Sequence, residues 1–220
     1  MRITFLVYLA CMLLICCTKE VRTYFPDGSV ESILLYKNQQ KNGQAIWYFP
    51  NGTPSLEISY KNGKKEGTMK RYNTDGICVE VSQYHGDSLD GIAQQFYDNK
   101  LIFSEVNYKN GKKEGTFSQY YEDGTLKIKG FYKNDLFDGK WEYFSEEGYP
   151  VGEGFFETGT GMLSGYDIKG NLLREIYYKS GNIEKEYVYK VDNQIVNKVY
   201  MYDSGRIVKI ENIGDLKDGE

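Results

Sequence analysis

Short segments in which apolar and polar residues alternate recur along most of the chain, and polar turns separate them. In one such segment Leu56, Ile58 and Tyr60 all fall on the same face of an extended strand. The segments are about five residues long, as in 68–72, or about eight, as in 125–132. Both lengths are typical of β-strands and too short for an ordinary helix. The pattern therefore predicts an all-β chain.

Glycines and two series of aromatic residues recur with a period of 24 residues. Each period contains two turn signals and two segments of strand length, which predicts one β-hairpin per period. The series are Gly43, Gly67, Gly91, Gly115 and Gly139; Tyr48, Tyr72, Phe96, Tyr120 and Phe144; and Tyr60, Tyr84, Tyr108 and Tyr132. The sequence YKNGKKEGT occurs twice unchanged, at 60–68 and 108–116. We therefore expect a stack of similar hairpins.

The apolar phase of the segments changes along the chain. Val79 and Val81 fall on the opposite face of their segment from Tyr84. A sheet that is covered on one side only keeps one phase throughout. We therefore expect an elongated, twisted antiparallel sheet, a single layer thick, made of tandem 24-residue hairpins. In such a sheet we expect equivalent aromatic residues of neighbouring hairpins to stack on each other and to replace a central core.

The 24-residue spacing ends at residues 159–165. The overlapping glycine-rich run 152–161 is not followed by a helix, as a phosphate-binding loop would be, so we interpret it as a flexible junction. Four further alternating segments predict a β-meander that continues the sheet. They are 172–179, 184–191, 195–202 and 206–211.

The first residues of the chain have the features of a bacterial export signal. A single basic residue, Arg2, precedes an apolar stretch over 3–15. The residues before Cys17 resemble a lipobox, in which that cysteine is lipidated and becomes the new N-terminus. An ordinary signal peptide with incidental cysteines is the alternative. The predicted organisation is a signal peptide at 1–16, a tether at 17–23 that starts with the lipidated Cys17, hairpin repeats at 24–158 and the meander at 159–220.

The composition and charge of the chain exclude several classes of function. The chain has 21 tyrosines and 11 phenylalanines but one histidine, so it is poor in the groups that most often serve acid–base and metal chemistry. Its formal net charge of -4 provides no attraction for nucleic acid. We therefore predict that the chain is not an enzyme, uses no metal or cofactor, and binds no nucleic acid.

The one cluster with catalytic residue types surrounds His85. Ser88, Asp87 and Asp90 lie close to it in sequence, and a serine nucleophile requires a base together with a group that orients the base. The cluster occupies a turn whose equivalents in other repeats have the sequence KNGKKEG. Because turns commonly collect such residues, we interpret it as a divergent surface turn.

Four lysines recur in the predicted long turns 61–67 and 109–115. They are Lys64, Lys65, Lys112 and Lys113. Lysines along one side of a sheet discourage association with other sheet edges, which is the interpretation we favour. The alternative is that the row contacts anionic surfaces near the membrane.

A glycine, an aromatic residue two positions on, a second aromatic three further on, and a glycine four later form the clearest unit of the repeat. Gly139, Trp141, Phe144 and Gly148 show it best. This unit resembles the MORN repeat, in the variant common in bacterial exported proteins, and the resemblance covers about 24–156.

One copy departs from that unit, because Ala45 and Ile46 replace its glycine–aromatic opening. The resemblance implies a scaffold or a membrane-associated protein, and one bacterial group of this kind is labelled a YwqK-type antitoxin. We predict a non-enzymatic scaffold, anchored in the cell envelope outside the cytoplasm, at the outer membrane in a Gram-negative organism. Its partner would be an unidentified protein. An antitoxin or immunity protein, and a binder of envelope glycan or anionic phospholipid, are the alternatives.

Overall fold

The computed structural model describes residues 18–190 and 195–213. All regular secondary structure in this part of the chain is β-strand. Cys17 and the predicted signal peptide lie outside these residues. The strands are β1 (Lys19–Tyr24), β2 (Val30–Lys37), β3 (Gln40–Tyr48), β4 (Pro54–Lys61), β5 (Lys64–Tyr72), β6 (Cys78–His85), β7 (Ser88–Phe96), β8 (Ile102–Lys109), β9 (Lys112–Tyr120), β10 (Leu126–Lys133), β11 (Leu136–Phe144), β12 (Pro150–Glu157), β13 (Thr160–Tyr166), β14 (Leu172–Lys179), β15 (Asn182–Tyr189), β16 (Val196–Asp203) and β17 (Arg206–Asn212).

Each strand from β1 to β16 pairs in antiparallel fashion with the next strand along the chain. The result is one open sheet in which sequence order and spatial order coincide. The predicted all-β sheet of tandem hairpins is therefore confirmed. No helix in the described segments is long and apolar enough to cross a membrane.

Two kinds of turn alternate along the sheet. Two-residue turns such as Asn62 and Gly63, both with positive φ, join β4 to β5, and longer turns such as 73–77 join β5 to β6. Positive φ at both central residues gives the twist that favours a tight hairpin. The predicted long turns at 61–67 and 109–115 are therefore wrong, and so is the five-residue strand 68–72, because β5 begins at Lys64, β9 begins at Lys112, and each has nine residues.

The glycine that marks each repeat lies inside a strand, where it forms a bulge. At Gly67 φ is +90°, and the pairing of β4 with β5 shifts between Ile58 and Tyr60. Glycine adopts this conformation without the strain that a Cβ would cause. A polar KKEG sequence that suggests a turn can therefore belong to a strand.

The glycine-rich run 152–161 is also part of the sheet. It covers most of β12, a tight turn at Thr158 and Gly159, and the start of β13, and β12 pairs with β13 without a register shift. The predicted flexible junction is wrong here. Gly161 lies so close to the backbone of Phe155 that no Cβ would fit, so the glycine permits close strand contact.

One face of the sheet, which we call the core face, carries a row of residues that face one another from strand to strand. This central row consists of Leu34, Ala45, Ile58, Met69, Ser82, Ala93, Val106, Phe117, Gly130, Trp141, Gly154, Leu163 and Ile176. Only eight apolar residues of the described chain are buried, and six of them lie in this row. The core is thus a line across a single layer.

Beside the central row, on the same face, a residue of the intervening strand separates the tyrosines of successive hairpins: Lys65, Leu89 or Lys113. The Nζ atom of Lys65 lies 4.8 Å from the ring centroid of Tyr84, and that of Lys113 lies 4.7 Å from the ring centroid of Tyr132. These are cation–π distances. The expectation that the tyrosines stack on their equivalents is therefore wrong for this series, because a residue of the intervening strand lies between them.

Candidate functional site

The core face contains a hollow of about 360 Å³ over β6 to β9. It lies where the central row passes through Ser82, Ala93 and Val106, which face one another in register. None of the three side chains is large enough to cover the sheet at this point. The hollow is therefore a gap in the line of packed side chains.

Residue volume along the central row explains why the gap lies here. Positions on alternate strands repeat every 24 residues, so Ala45, Met69, Ala93, Phe117 and Trp141 are equivalent, and Ala45 lies between the larger Leu34 and Ile58. Trp141, the largest of them, lies between the glycines Gly130 and Gly154. At Ala93 a small residue has no large neighbour to compensate for it.

Polar side chains form the wall of the hollow on the side of the longer turns. Glu80, Gln95, Ser104 and Gln119 lie on four successive strands and face one another in register. The Ser104 hydroxyl donates to Gln95 Oε1 at 3.2 Å. Glu80 accepts a hydrogen bond from the Ser82 hydroxyl at 3.1 Å and is paired with Arg71, so its charge is compensated.

The opposite wall consists of Leu89, Tyr108 and Lys113, and the Phe117 ring contributes at the end of the hollow. Burial raises the pKa of the Tyr108 phenol, so the phenol stays protonated and can donate a hydrogen bond. The hollow thus offers amides, hydroxyls and an aromatic ring, together with the Lys113 ammonium, which lies over the Tyr132 ring, and the Glu80 carboxylate. Because one cation and one anion line the hollow, its surface suits a polar group without net charge better than a phosphate.

The residues around His85 make contacts between neighbouring hairpins. His85 Nδ1 lies 3.1 Å from Glu66 Oε1, and Asp87 Oδ1 accepts the Lys65 backbone N–H at 2.8 Å. Asp90 accepts the backbone N–H of Asn110 at 3.3 Å. Asp87 and Asp90, the two acids considered as catalytic candidates, therefore accept hydrogen bonds from the backbone of neighbouring hairpins. The turn itself is shorter than predicted, because only Gly86 and Asp87 form it, and His85, Ser88 and Asp90 belong to β6 and β7.

A ladder of side chains that the sequence analysis missed links each hairpin turn to the preceding repeat. The residue before the repeat glycine accepts a backbone N–H from the next tight turn, over distances of 2.8–3.3 Å. The pairs are Asn42 with Asn62, Glu66 with Gly86, Asp90 with Asn110, Glu114 with Asn134, and Asp138 with Thr158. The signal was visible as an Asn, Glu or Asp before each of these glycines.

These hydrogen bonds also affect the acids electrostatically. The Gly86 N–H, followed by His85, lowers the pKa of Glu66 below its ordinary value of 4.5. The Asn110 N–H and the Lys109 ammonium lower the pKa of Asp90 below 3.8. Both acids are therefore ionised in the folded chain at neutral pH.

The four lysines of the predicted long turns lie on two different faces of the sheet. Lys65 and Lys113 lie over tyrosine rings on the core face. Lys64 and Lys112 are exposed first residues of their strands, and the alternation of a strand directs them to the opposite face. A flat anionic surface would therefore meet only two of the four at once.

The aromatic series at the ends of the odd-numbered strands is half-buried on the face opposite the central row. It comprises Tyr48, Tyr72, Phe96, Tyr120 and Phe144. These residues do not contribute to the hollow. Within the described residues no group of three or more His, Cys, Asp or Glu side chains is placed to hold a metal ion.

Comparison with known families matches four segments of the chain to the MORN repeat variant. The matched residues are 18–38, 41–62, 89–110 and 113–134. Each segment corresponds to two strands joined by a longer turn, and 41–62 is matched although Ala45 and Ile46 alter its opening. The chain thus contains tandem MORN repeats, which are generally non-catalytic modules that bind proteins or lipids. A search of curated proteins finds no match.

Proposed function

We propose that the chain is a non-enzymatic scaffold that is held in the cell envelope through a lipidated Cys17 and binds a protein partner at the hollow on its core face. The observation that supports this most is the gap in the central row at Ala93. The sheet continues on both sides of the gap, so a partner side chain can enter without any rearrangement of the strands.

The chemistry of the hollow favours insertion of a protein side chain. Its volume of about 360 Å³ is at the small end of ligand pockets, which hold about 300–1,000 Å³. Gln95, Gln119 and Ser104 supply hydrogen-bonding groups, and Phe117 supplies an apolar surface. Polar groups around a partly apolar pocket are what a protein anchor residue requires.

The test is to fill the hollow without changing its surroundings. Ala93→Leu places extra side-chain volume in the gap, and Ile92→Leu changes the neighbouring, exposed residue on the opposite face. After cross-linking in intact envelopes, we expect the wild type and Ile92→Leu to capture the same partner and Ala93→Leu to lose it. Equal capture by all three chains would reject the hollow as the binding site.

The proposed anchor is tested separately. Cys17→Ser should release the chain from the membrane fraction or block its maturation, whereas Cys16→Ser should have neither effect. Equal membrane retention of wild type and Cys17→Ser would show that lipid does not hold the protein there.

A second candidate ligand, a neutral envelope glycan, is favoured by one feature of the same site. The amides of Gln95 and Gln119 lie in the hollow together with the Phe117 ring, and sugars combine hydroxyl groups with an apolar face. Titration of the purified chain with neutral oligosaccharides tests this, with Ala93→Leu as the control that should not bind. The antitoxin alternative would gain support if the captured partner were a toxin whose growth inhibition co-expression of the chain relieves.

A further inference from the structure

The last strand of the sheet in the described part of the chain, β17, exposes large aliphatic residues. Ile207, Val208 and Ile210 in β17 are 50%, 63% and 54% exposed. The other edge strand among the described residues, β1, carries three charged residues, as β17 does, but Tyr24 is its only exposed large hydrophobic residue. Charges protect an edge from association, whereas exposed apolar residues on an edge favour pairing with another strand.

The outward groups of β17 can be identified from its inner pairing. Within the described residues β17 pairs with β16 alone. The Ile213 N–H donates to the Asn197 carbonyl at 2.9 Å, so Ile213 and Glu211 direct their backbone groups towards β16. Because the direction alternates along an antiparallel strand, the backbone groups of Ile210 and Asn212 point outward.

We propose that β17 pairs in antiparallel fashion with β17 of a second copy of this chain, so that the two sheets join edge to edge. Symmetry limits the register. Residues that face each other in an antiparallel pair lie on the same face of the sheet, so a two-fold axis must pass through one residue of each strand.

Charge selects among the allowed registers. An axis at Lys209 would place that lysine opposite its own copy, which is repulsive. An axis at Ile210 places the two Ile210 residues together and sets Lys209 of each copy opposite Glu211 of the other. Lys209 and Glu211 already form an ion pair within the strand, at 2.5 Å, so the dimer would hold a network of four alternating charges. No other allowed axis within β17 sets opposite charges against each other, so we place the axis at Ile210.

Charge reversal tests both the dimer and its register. Lys209→Glu and Glu211→Lys each place like charges opposite each other and change only side chains on the open edge. By sedimentation equilibrium of the full chain in detergent, we expect the wild type to dimerise and each variant to dimerise at least about tenfold more weakly, since like-charge juxtaposition is costly. An equimolar mixture of the two variants should form a heterodimer, and the double variant should dimerise as the wild type does.

Lys19→Glu on β1 is the matched control, because it reverses a charge on the other edge strand and should leave the dimer unchanged. A wild type that stays monomeric up to its solubility limit would overturn the proposal. So would a dimer that neither single reversal weakens, or a mixture of the two variants that fails to associate.

Discussion

The hollow over β6 to β9 and a cluster of aromatic rings over β9 to β14 are built on the same repeat and the same face of one sheet. The cluster consists of Phe117, Tyr132, Phe137, Trp141, Phe156 and Tyr178. In the cluster Trp141 is 2% exposed, and its ring lies 4.5 Å from that of Phe137 and 5.6 Å from that of Phe117, between centroids. At the equivalent position in the hollow stands Ala93. The strands pair through both regions alike.

The difference shows that the summed volume of facing central-row residues sets the character of the surface, because Ala45, which is equivalent to Ala93, is buried between Leu34 and Ile58. Hydrogen bonds between strands and the side-chain ladder at the tight turns continue from one region to the other. The backbone therefore does not need every central position to be filled. Where facing residues together fill the central row the face is packed, and where they are all small, as at Ser82, Ala93 and Val106, the same face has a hollow.

The largest effect should come from emptying the cluster. Trp141→Ala removes a buried ring that Phe117, Tyr132 and Phe137 contact, and we expect it to lower the free energy of unfolding by about 3–5 kcal/mol. Urea unfolding measures this. Tyr24→Ala, at a ring that is 56% exposed on β1, should cost clearly less. Similar costs at both positions would show that stability does not depend on the cluster.

A smaller loss of unfolding free energy should follow from adding a side chain next to Trp141. A Cβ at Gly130 would overlap the indole ring of Trp141, so Gly130→Ala should cost about 1–3 kcal/mol in thermal or urea unfolding. Combining it with Trp141→Leu should give a smaller loss than the sum of the two single changes, because the overlap is then removed. Strictly additive costs would argue against volume compensation between the two positions.

The sequence predicted the period and the hairpins well because the turns and aromatic residues recur at fixed spacing. It placed the start of β5 at residue 68 instead of Lys64, because a glycine after polar residues suggests a turn, and only the pairing shows that Gly67 forms a bulge within a strand. The hollow also escaped prediction. It depends on the summed volume of Ser82, Ala93 and Val106, which lie on three different strands.

Acid should weaken the region of the hollow through Glu66 and Asp90. Their pKa values are lowered in the folded chain, so their contribution to stability is present above the ordinary values of 4.5 and 3.8 and is lost as the pH falls through the lowered ones. We expect faster amide exchange in β6 to β8 as the pH drops across this window, after correction for intrinsic rates. Glu66→Gln with Asp90→Asn should reduce this acid sensitivity, and an unchanged pH profile in that variant would assign it to other groups.

The smallest effect on stability should come from filling the hollow. Ala93→Leu adds apolar volume where about 360 Å³ is open, so it need not displace any neighbouring side chain. We expect the free energy of unfolding to stay within about 1 kcal/mol of wild type, with any change favouring the folded state. Gly130→Ala, which adds only a methyl group on the same face, is the matched comparison and should cost more. If Ala93→Leu destabilised the chain as much as Gly130→Ala does, the two regions would be equally packed, and the hollow would offer no room for a partner.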